Sequence, residues 1–232
     1  FTDSEIITEI TDFDWCPTST YFAIAGNANS FEVAPYSFSL ANTTASVRRN
    51  VSHSDNAYVN SVVWTNTGEY LAVGLSPQDS DYPAVAVYTF TERGNISSDP
   101  VCGISLGDNA AERKTTGVFA VDWSSPDVLT TITYLAALGS FVDTTTQVNL
   151  YQFDIDSLTY AAGVGFNDAE VNTIKFQPDS NYLTVGGLNI SGSCDLVTYK
   201  LDDSELFQRH AVNISSLDPV KTIDWTSDGS YL

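Results

Sequence analysis

The chain has 232 residues, 43% of them hydrophobic and only 16% charged, with 29 acidic against 9 basic side chains and a net charge of −20. This is enough apolar material to bury one large all-β core, and it excludes wholesale disorder. A surface this negative repels phosphate backbones and anionic lipid heads, so nucleic-acid and membrane-surface partners are disfavoured.

In chain order, residues 5–10 read as a lead-in strand, and one stretch then recurs five times. It runs from Ile10 through Trp15 to Gly26, and returns from Val59 through Trp64 to Gly74 and from Val118 through Trp123 to Leu129. It comes back from Val171 through Phe176 to Gly186, and last from Val220 through Trp225 to Leu232. The aromatic anchors lie 49, 59, 53 and 49 residues apart by subtraction. A fixed motif at variable intervals predicts constant strands joined by variable loops.

Each anchor closes an alternating segment, the pattern of a strand, and is followed by a turn. The turns are Pro17-Thr18-Ser19, Asn66-Thr67-Gly68, Pro126-Asp127, Pro178-Asp179-Ser180 and Ser227-Asp228-Gly229. These residue types preset φ or tolerate φ > 0. A short apolar strand ending in Gly comes next, from Phe22 to Gly26, Leu71 to Gly74 and Leu183 to Gly187. A third strand is centred on Tyr36, Tyr88, Tyr151 or Tyr199, with apolar residues two apart. A weaker fourth strand is predicted from Val101 to Leu106, Leu158 to Val164 and Leu206 to Val212. Four antiparallel strands per ~50 residues make one propeller blade.

The unit resembles a WD40 repeat, in which V-x-x-V-x-F/W-S-P-D-G-x-x-L-A-S-G is followed by V-x-V-W-D. The resemblance covers residues 10–232 and implies an all-β propeller of four full blades and a partial fifth, with repeats at about 10–58, 59–117, 118–170, 171–219 and 220–232. It departs from the family in two respects. Tyr36, Tyr88, Tyr151 and Tyr199 stand where the closing Trp-Asp belongs, and the Gly-His pair is missing, so the family's Asp–His–Ser/Thr network is expected to be absent. The repeats also exceed the ~40–45 residues usual for WD40. A kelch-type propeller is disfavoured, because Gly186-Gly187 is the only Gly-Gly pair. The anchors Trp15, Trp64, Trp123, Phe176 and Trp225 are expected at equivalent positions, buried between neighbouring sheets.

Candidate chemistry is sparse. His53 and His210 are the only histidines, in outer strands or their loops, and neither lies near a Gly-x-Ser-x-Gly elbow. Paired carboxylates can do glycoside chemistry, but Asp12/Asp14, Asp154/Asp156 and Asp202/Asp203 read as solvated acids in an acidic chain. Arg48, Arg49, Arg93, Arg113 and Arg209 fall in outer loops or strands, away from a common axis. Asp79 and Asp81 offer oxygen ligands for an incidental calcium ion without an EF-hand pattern. Cys16, Cys102 and Cys194 form no zinc motif and leave room for one disulfide of open pairing. No catalytic residue, cofactor or resident metal is assigned.

Five N-x-Ser/Thr sequons, at Asn42, Asn50, Asn95, Asn189 and Asn213, fall in predicted loops or outermost strands, where N-linked glycans fit. Together with the acidity and the lack of any Met, this predicts a processed or partial chain located outside the cell or at its surface. The expected function is a non-enzymatic structural or interaction scaffold with protein or glycan partners, engaged through the longest insertions at 75–84 and 139–147. Self-association by strand exchange at the chain ends would make it a subunit of a polymeric surface assembly or fibril. The rival expectation is a propeller-type hydrolase or lyase acting on glycans or lactones at the central channel.

Overall fold

Alternating side chains punctuated by Pro, Asp, Ser and Gly turns favour strands, and the described elements are all strands. The computed structural model describes residues 9–27, 33–39, 44–47, 57–77, 83–91, 94–105, 117–125, 132–140, 146–166, 169–214 and 218–232. The lead-in at 5–8 lies outside them.

Four antiparallel sheets of four strands follow one another along the sequence. The first is β1 (Glu9–Trp15), β2 (Tyr21–Asn27), β3 (Val33–Ser39) and β4 (Thr44–Val47). The second is β5 (Ala57–Trp64), β6 (Tyr70–Pro77), β7 (Val85–Thr89) and β8 (Cys102–Ile104). The third is β9 (Val118–Trp123), β10 (Thr133–Gly139), β11 (Val148–Asp154) and β12 (Ser157–Val164). The fourth is β13 (Glu170–Phe176), β14 (Tyr182–Ser191), β15 (Cys194–Asp202) and β16 (Glu205–Val212). Each pairs in simple up-and-down order, the meander of a propeller blade. The second strands run past the glycines expected to end them, to Asn27, Pro77 and Ser191. A Gly inside a ladder weakens pairing without stopping it.

The turn after each anchor is held alike. Cys16, Thr65, Ser124, Gln177 and Thr226 each donate their N–H to the carbonyl of Tyr21, Tyr70, Tyr134, Tyr182 or Tyr231, at 2.8–3.0 Å. The fifth copy therefore folds its turn but forms no ladder. Residues 220–225 lie against the fourth sheet through Val220 N–H to Gly187 O at 2.9 Å, with no strand beside them among the described residues.

The register slips once at the same place in three first strands, between Ile10 and Asp12, Val59 and Ser61, and Val171 and Thr173. Such a bulge leaves one residue outside the ladder, here Thr11, Asn60 and Asn172, and frees its side chain for another task.

The chain divides into two units, Phe1–Phe119 and Ala120–Leu232. Unit 1 has a core that includes Ala23, Ala25, Val62, Trp64, Leu71, Val73 and Tyr88, with Tyr21 against it. Unit 2 is built around Leu138, Leu150, Ile174, Phe176, Leu183, Val197 and Tyr199. Within a blade the two sequence motifs meet. Trp15 packs on Phe38 at 5.7 Å between ring centres, Trp64 on Phe90 at 4.4 Å and Trp123 on Phe153 at 5.1 Å. In each case the partner lies two residues beyond the blade's Tyr.

Candidate interaction surface

The polar chemistry of this protein is concentrated where one blade meets the next. At the seam in unit 1, Trp64 N–H donates to Asp14 Oδ2 at 2.8 Å, and the Trp64 indole Nε1 donates to Asp14 O at 3.3 Å. One turn of alternation earlier, Asp12 Oδ2 accepts Val62 N–H and Ser61 Oγ, both at 2.9 Å. The bulge residue completes the seam, with Thr11 Oγ1 donating to Val59 O at 2.7 Å. First-strand N–H groups that point away from their own ladder thus find acceptors on the preceding blade, as buried backbone donors must.

The seam in unit 2 repeats the device. Asp122 Oδ2 accepts Phe176 N–H at 2.6 Å, while Oδ1 accepts Lys175 Nζ at 3.0 Å. The Asp122 side chain is 6% exposed and that of Lys175 33%. Burial raises the Asp122 pKa, and the Lys175 ammonium and the Phe176 N–H pull against that rise. Asn172 Nδ2 donates to Val220 O at 3.2 Å, as Asn60 Nδ2 donates to Val118 O at 2.8 Å within unit 1. The segment 220–232 is further held by Lys221 Nζ on Glu170 Oε1 at 2.8 Å and by Gln177 Nε2 on Gly229 O at 2.7 Å.

These bonds correct the reading of Asp12 and Asp14 as solvated acids: their carboxylates join two blades. Sequence reasoning also missed Asp122 and Asp195. Asp195 is fully buried and accepts Ile214 N–H at 2.9 Å, pinning the end of the outer strand. Gln147, four residues before Tyr151 as Asp195 is before Tyr199, does the same with Phe166 N–H at 2.6 Å. A usable signal existed for one class. Asp stands directly before the anchor at Asp14-Trp15, Asp122-Trp123 and Asp224-Trp225, whereas Val63 and Lys175 hold that place in the second and fourth repeats.

Trp64, Trp123 and Phe176 are buried. Trp15 is 47% exposed and Trp225 is partly exposed, against the expectation of uniform burial. Within unit 1 no other blade covers the leading face of the first sheet among the described residues, and the fifth copy forms no strand. The indole Nε1 of Trp225 is buried without a hydrogen-bond partner. Tyr88, Tyr151 and Tyr199 are buried and Tyr36 partly so; burial pushes the Tyr199 hydroxyl up to about 12.

Asn95 and Asn213 are exposed outside the regular strands, and Asn189 is exposed with φ +54°. Asn189 sits inside β14, not in the loop or outer strand expected for it. Asn42 and Asn50 lie outside the described residues, as do His53, Asp79, Asp81 and the arginines at 48, 49, 93 and 113. His210 and Arg209 are exposed on β16, and Arg209 lies 6.0 Å from the Phe207 ring. Asp154, Asp156, Asp202 and Asp203 occupy exposed tight turns, with Lys200 Nζ on Asp202 at 3.2 Å. Cys16, Cys102 and Cys194 form no disulfide. Among the described residues no three His, Cys, Asp or Glu side chains gather as metal ligands, and no helix is long and apolar enough to cross a membrane.

Sheets of four antiparallel strands, stacked in pairs within each unit, define the blade-built class of all-β proteins. No family model matches the chain, and no curated protein matches it in sequence. Among solved structures it is similar to a protein from Lactobacillus plantarum, with a TM-score of 0.59 and 16% identity over 84% of this chain and 54% of that one. It is also similar to Chaetomium thermophilum Sqt1 bound to the N-terminus of the ribosomal protein L10, with a TM-score of 0.57 and 14% identity over 92% of this chain and 51% of that one. Both likenesses fit a WD40-like propeller. The chain spans about half the length of these structures.

Proposed function

We propose that this protein is a non-enzymatic interaction scaffold of propeller blades, working outside the cell or at its surface and binding protein or glycan partners through its inter-strand loops. The observation that carries the reading is the use made of the inner-strand acids. Asp12, Asp14 and Asp122 accept backbone N–H groups of the next blade, which commits them to holding the blades together. A rigid frame with loops of variable length is the arrangement on which binding surfaces are built. The likeness to Sqt1, seen bound to a segment of another protein, supports a protein partner. The exposed sequon residues Asn95, Asn189 and Asn213 support a glycosylated, secreted setting. Assembly into a larger surface structure belongs to the same reading.

The test has two arms. Protein made in a secretory eukaryotic host is examined by intact mass and glycopeptide mapping; bare asparagines at all five sequons sink the extracellular assignment. The same material is presented to glycan and peptide arrays and to glycoside and lactone substrates. Saturable binding lost on shortening the 75–84 or 139–147 loops supports the scaffold, and turnover of any substrate in favour of the hydrolase or lyase rival overturns it.

A further inference from the structure

The buried carboxylate of Asp195 holds two stretches of chain that both carry an N-linked sequon. Its Oδ2 accepts Ile214 N–H at 2.9 Å, and its Oδ1 accepts Asn189 N–H more loosely at 3.4 Å. Asn189-Ile190-Ser191 closes β14, and Asn213-Ile214-Ser215 begins just past the end of β16. Asp195 lies on β15, the strand between those two, so the two asparagines flank it at one end of the fourth sheet. Two inter-strand spacings place them about 10 Å apart. Both are exposed, while Asp195 is 0% exposed. A carboxylate so buried must be hydrogen-bonded, and here its bonds fix the backbone at both sequons. The third blade uses the same device without sequons: Gln147 accepts Phe166 N–H at 2.6 Å, and the Asn167-Asp168-Ala169 that follows is not a glycan acceptor.

We infer that Asn189 and Asn213 form one paired glycosylation site, whose two N-glycans crowd each other and stay oligomannose, while a glycan at Asn95 is processed further. This rests on the extracellular reading above and deepens it. In the attachment step each side-chain amide nitrogen bonds to the anomeric carbon of a lipid-diphosphate-linked oligosaccharide. The bond from that carbon to the phosphate oxygen breaks, the lipid diphosphate leaves with the electron pair, and the amide nitrogen gives up one proton. Attachment precedes folding, when sequons 24 residues apart by subtraction are not yet neighbours. Trimming follows folding, and each step is a hydrolysis in which water adds across a mannosidic bond and one mannose leaves. A hydrolase must enclose the terminal mannose, and a second bulky oligosaccharide rooted about 10 Å away fills that space. The two roots cannot swing apart, because Asn189 is held in β14 at φ +54° and Ile214 is held by Asp195. Asn95 is the only sequon between residues 57 and 104, the span of the second sheet, so no second glycan shares that sheet.

The experiment is site-by-site glycopeptide mass spectrometry of the full chain secreted from mammalian cells. The expected result is oligomannose at Asn189 and Asn213 and complex glycans at Asn95. Removing one partner should release the other. Asn213→Gln should shift Asn189 from oligomannose to complex forms, and Ser191→Ala should do the same for Asn213. Ser191→Ala abolishes the first sequon while leaving Asn189 in its left-handed conformation, which Gln tolerates less well. Each substitution is read at the opposite site, so one that failed to fold leaves its reciprocal to decide. Complex glycans at both paired sites in the parent, a bare asparagine at either, or oligomannose that persists at one after the other is removed overturns the inference. Asn95 separates the two failures. With Asn95 occupied only the pairing falls, and with all five sequons bare the extracellular assignment falls with it.

Discussion

The carboxylate of Asp14 lies 2.8 Å from the backbone nitrogen of Trp64, a residue fifty positions later, and the Trp64 indole reaches back to the Asp14 carbonyl at 3.3 Å. Two hydrogen bonds thus tie one anchor to the first strand of the preceding blade. Asp122 and Phe176 reproduce the carboxylate half of this pair in unit 2, with Lys175 added.

Losing the carboxylate in unit 2 should be costly. Asp122→Ala leaves the Phe176 N–H without its acceptor and the Lys175 ammonium beside a hole, and should destabilise the protein by about 3 kcal/mol. Asp122→Asn keeps an acceptor and should cost less. Urea titration followed by tryptophan fluorescence decides it; equal midpoints for the parent and Asp122→Ala would refute the seam's importance.

The two tryptophans of unit 1 should respond unequally to truncation. Trp64 is 2% exposed, and Trp64→Ala should cost about 3–5 kcal/mol in lost burial and cavity. Trp15 is 47% exposed, and Trp15→Ala should cost only about 1 kcal/mol in the isolated chain. A similar loss for both in equilibrium unfolding of dilute protein would show that Trp15 is covered.

Two glycines with left-handed backbone separate conformational strain from crowding. Gly68 has φ +72°, and a Cβ there would meet the Thr18 hydroxyl and lie 2.7 Å from Cys16 Sγ, across the seam of unit 1. Gly192 has φ +65° with nothing within 4 Å of such a Cβ. Gly192→Ala should cost about 1 kcal/mol, the backbone penalty alone. Gly68→Ala should cost at least twice that. Thermal unfolding of the two variants side by side checks the ranking.

Acid should loosen the 220–232 segment. Hydrogen bonds from Lys221 and Asn172 hold Glu170 below its ordinary 4.5, and bonds from Thr226 and Ser230 hold Asp228 below 3.8. A lowered folded pKa contributes stability above the ordinary value and loses it as pH falls through the folded one. Asp122, raised by burial, has the opposite sign: its ionisation weakens the fold as pH rises through its folded value. Below about pH 4, hydrogen exchange should therefore quicken in 220–232 before it quickens at Phe176. Simultaneous loss of protection would contradict this order.

Strand periodicity and turn chemistry are local, so the repeat, the four-stranded blades and the anchor positions are legible along the chain. The second strands could not be ended correctly, because pairing with β1, β5 and β13 carries them past a weak glycine. The Asp-Trp pairs at 14–15 and 122–123 were visible as letters but not as latches. Their meaning needs the following blade, some fifty residues on, to bring its unpaired N–H groups into reach.

Trp15 and Trp64 show where local information stops. Both close an alternating strand, precede a polar turn and pack on a Phe two residues beyond a Tyr, so the sequence assigns them one role. Their exposures of 47% and 2% differ because the first blade lies over Trp64 and no other blade of unit 1 lies over Trp15 among the described residues. Burial belongs to the pair of surfaces in contact. The sequence by itself determines which face of each strand is apolar, and only the tertiary structure decides which of those faces has a neighbour to cover it.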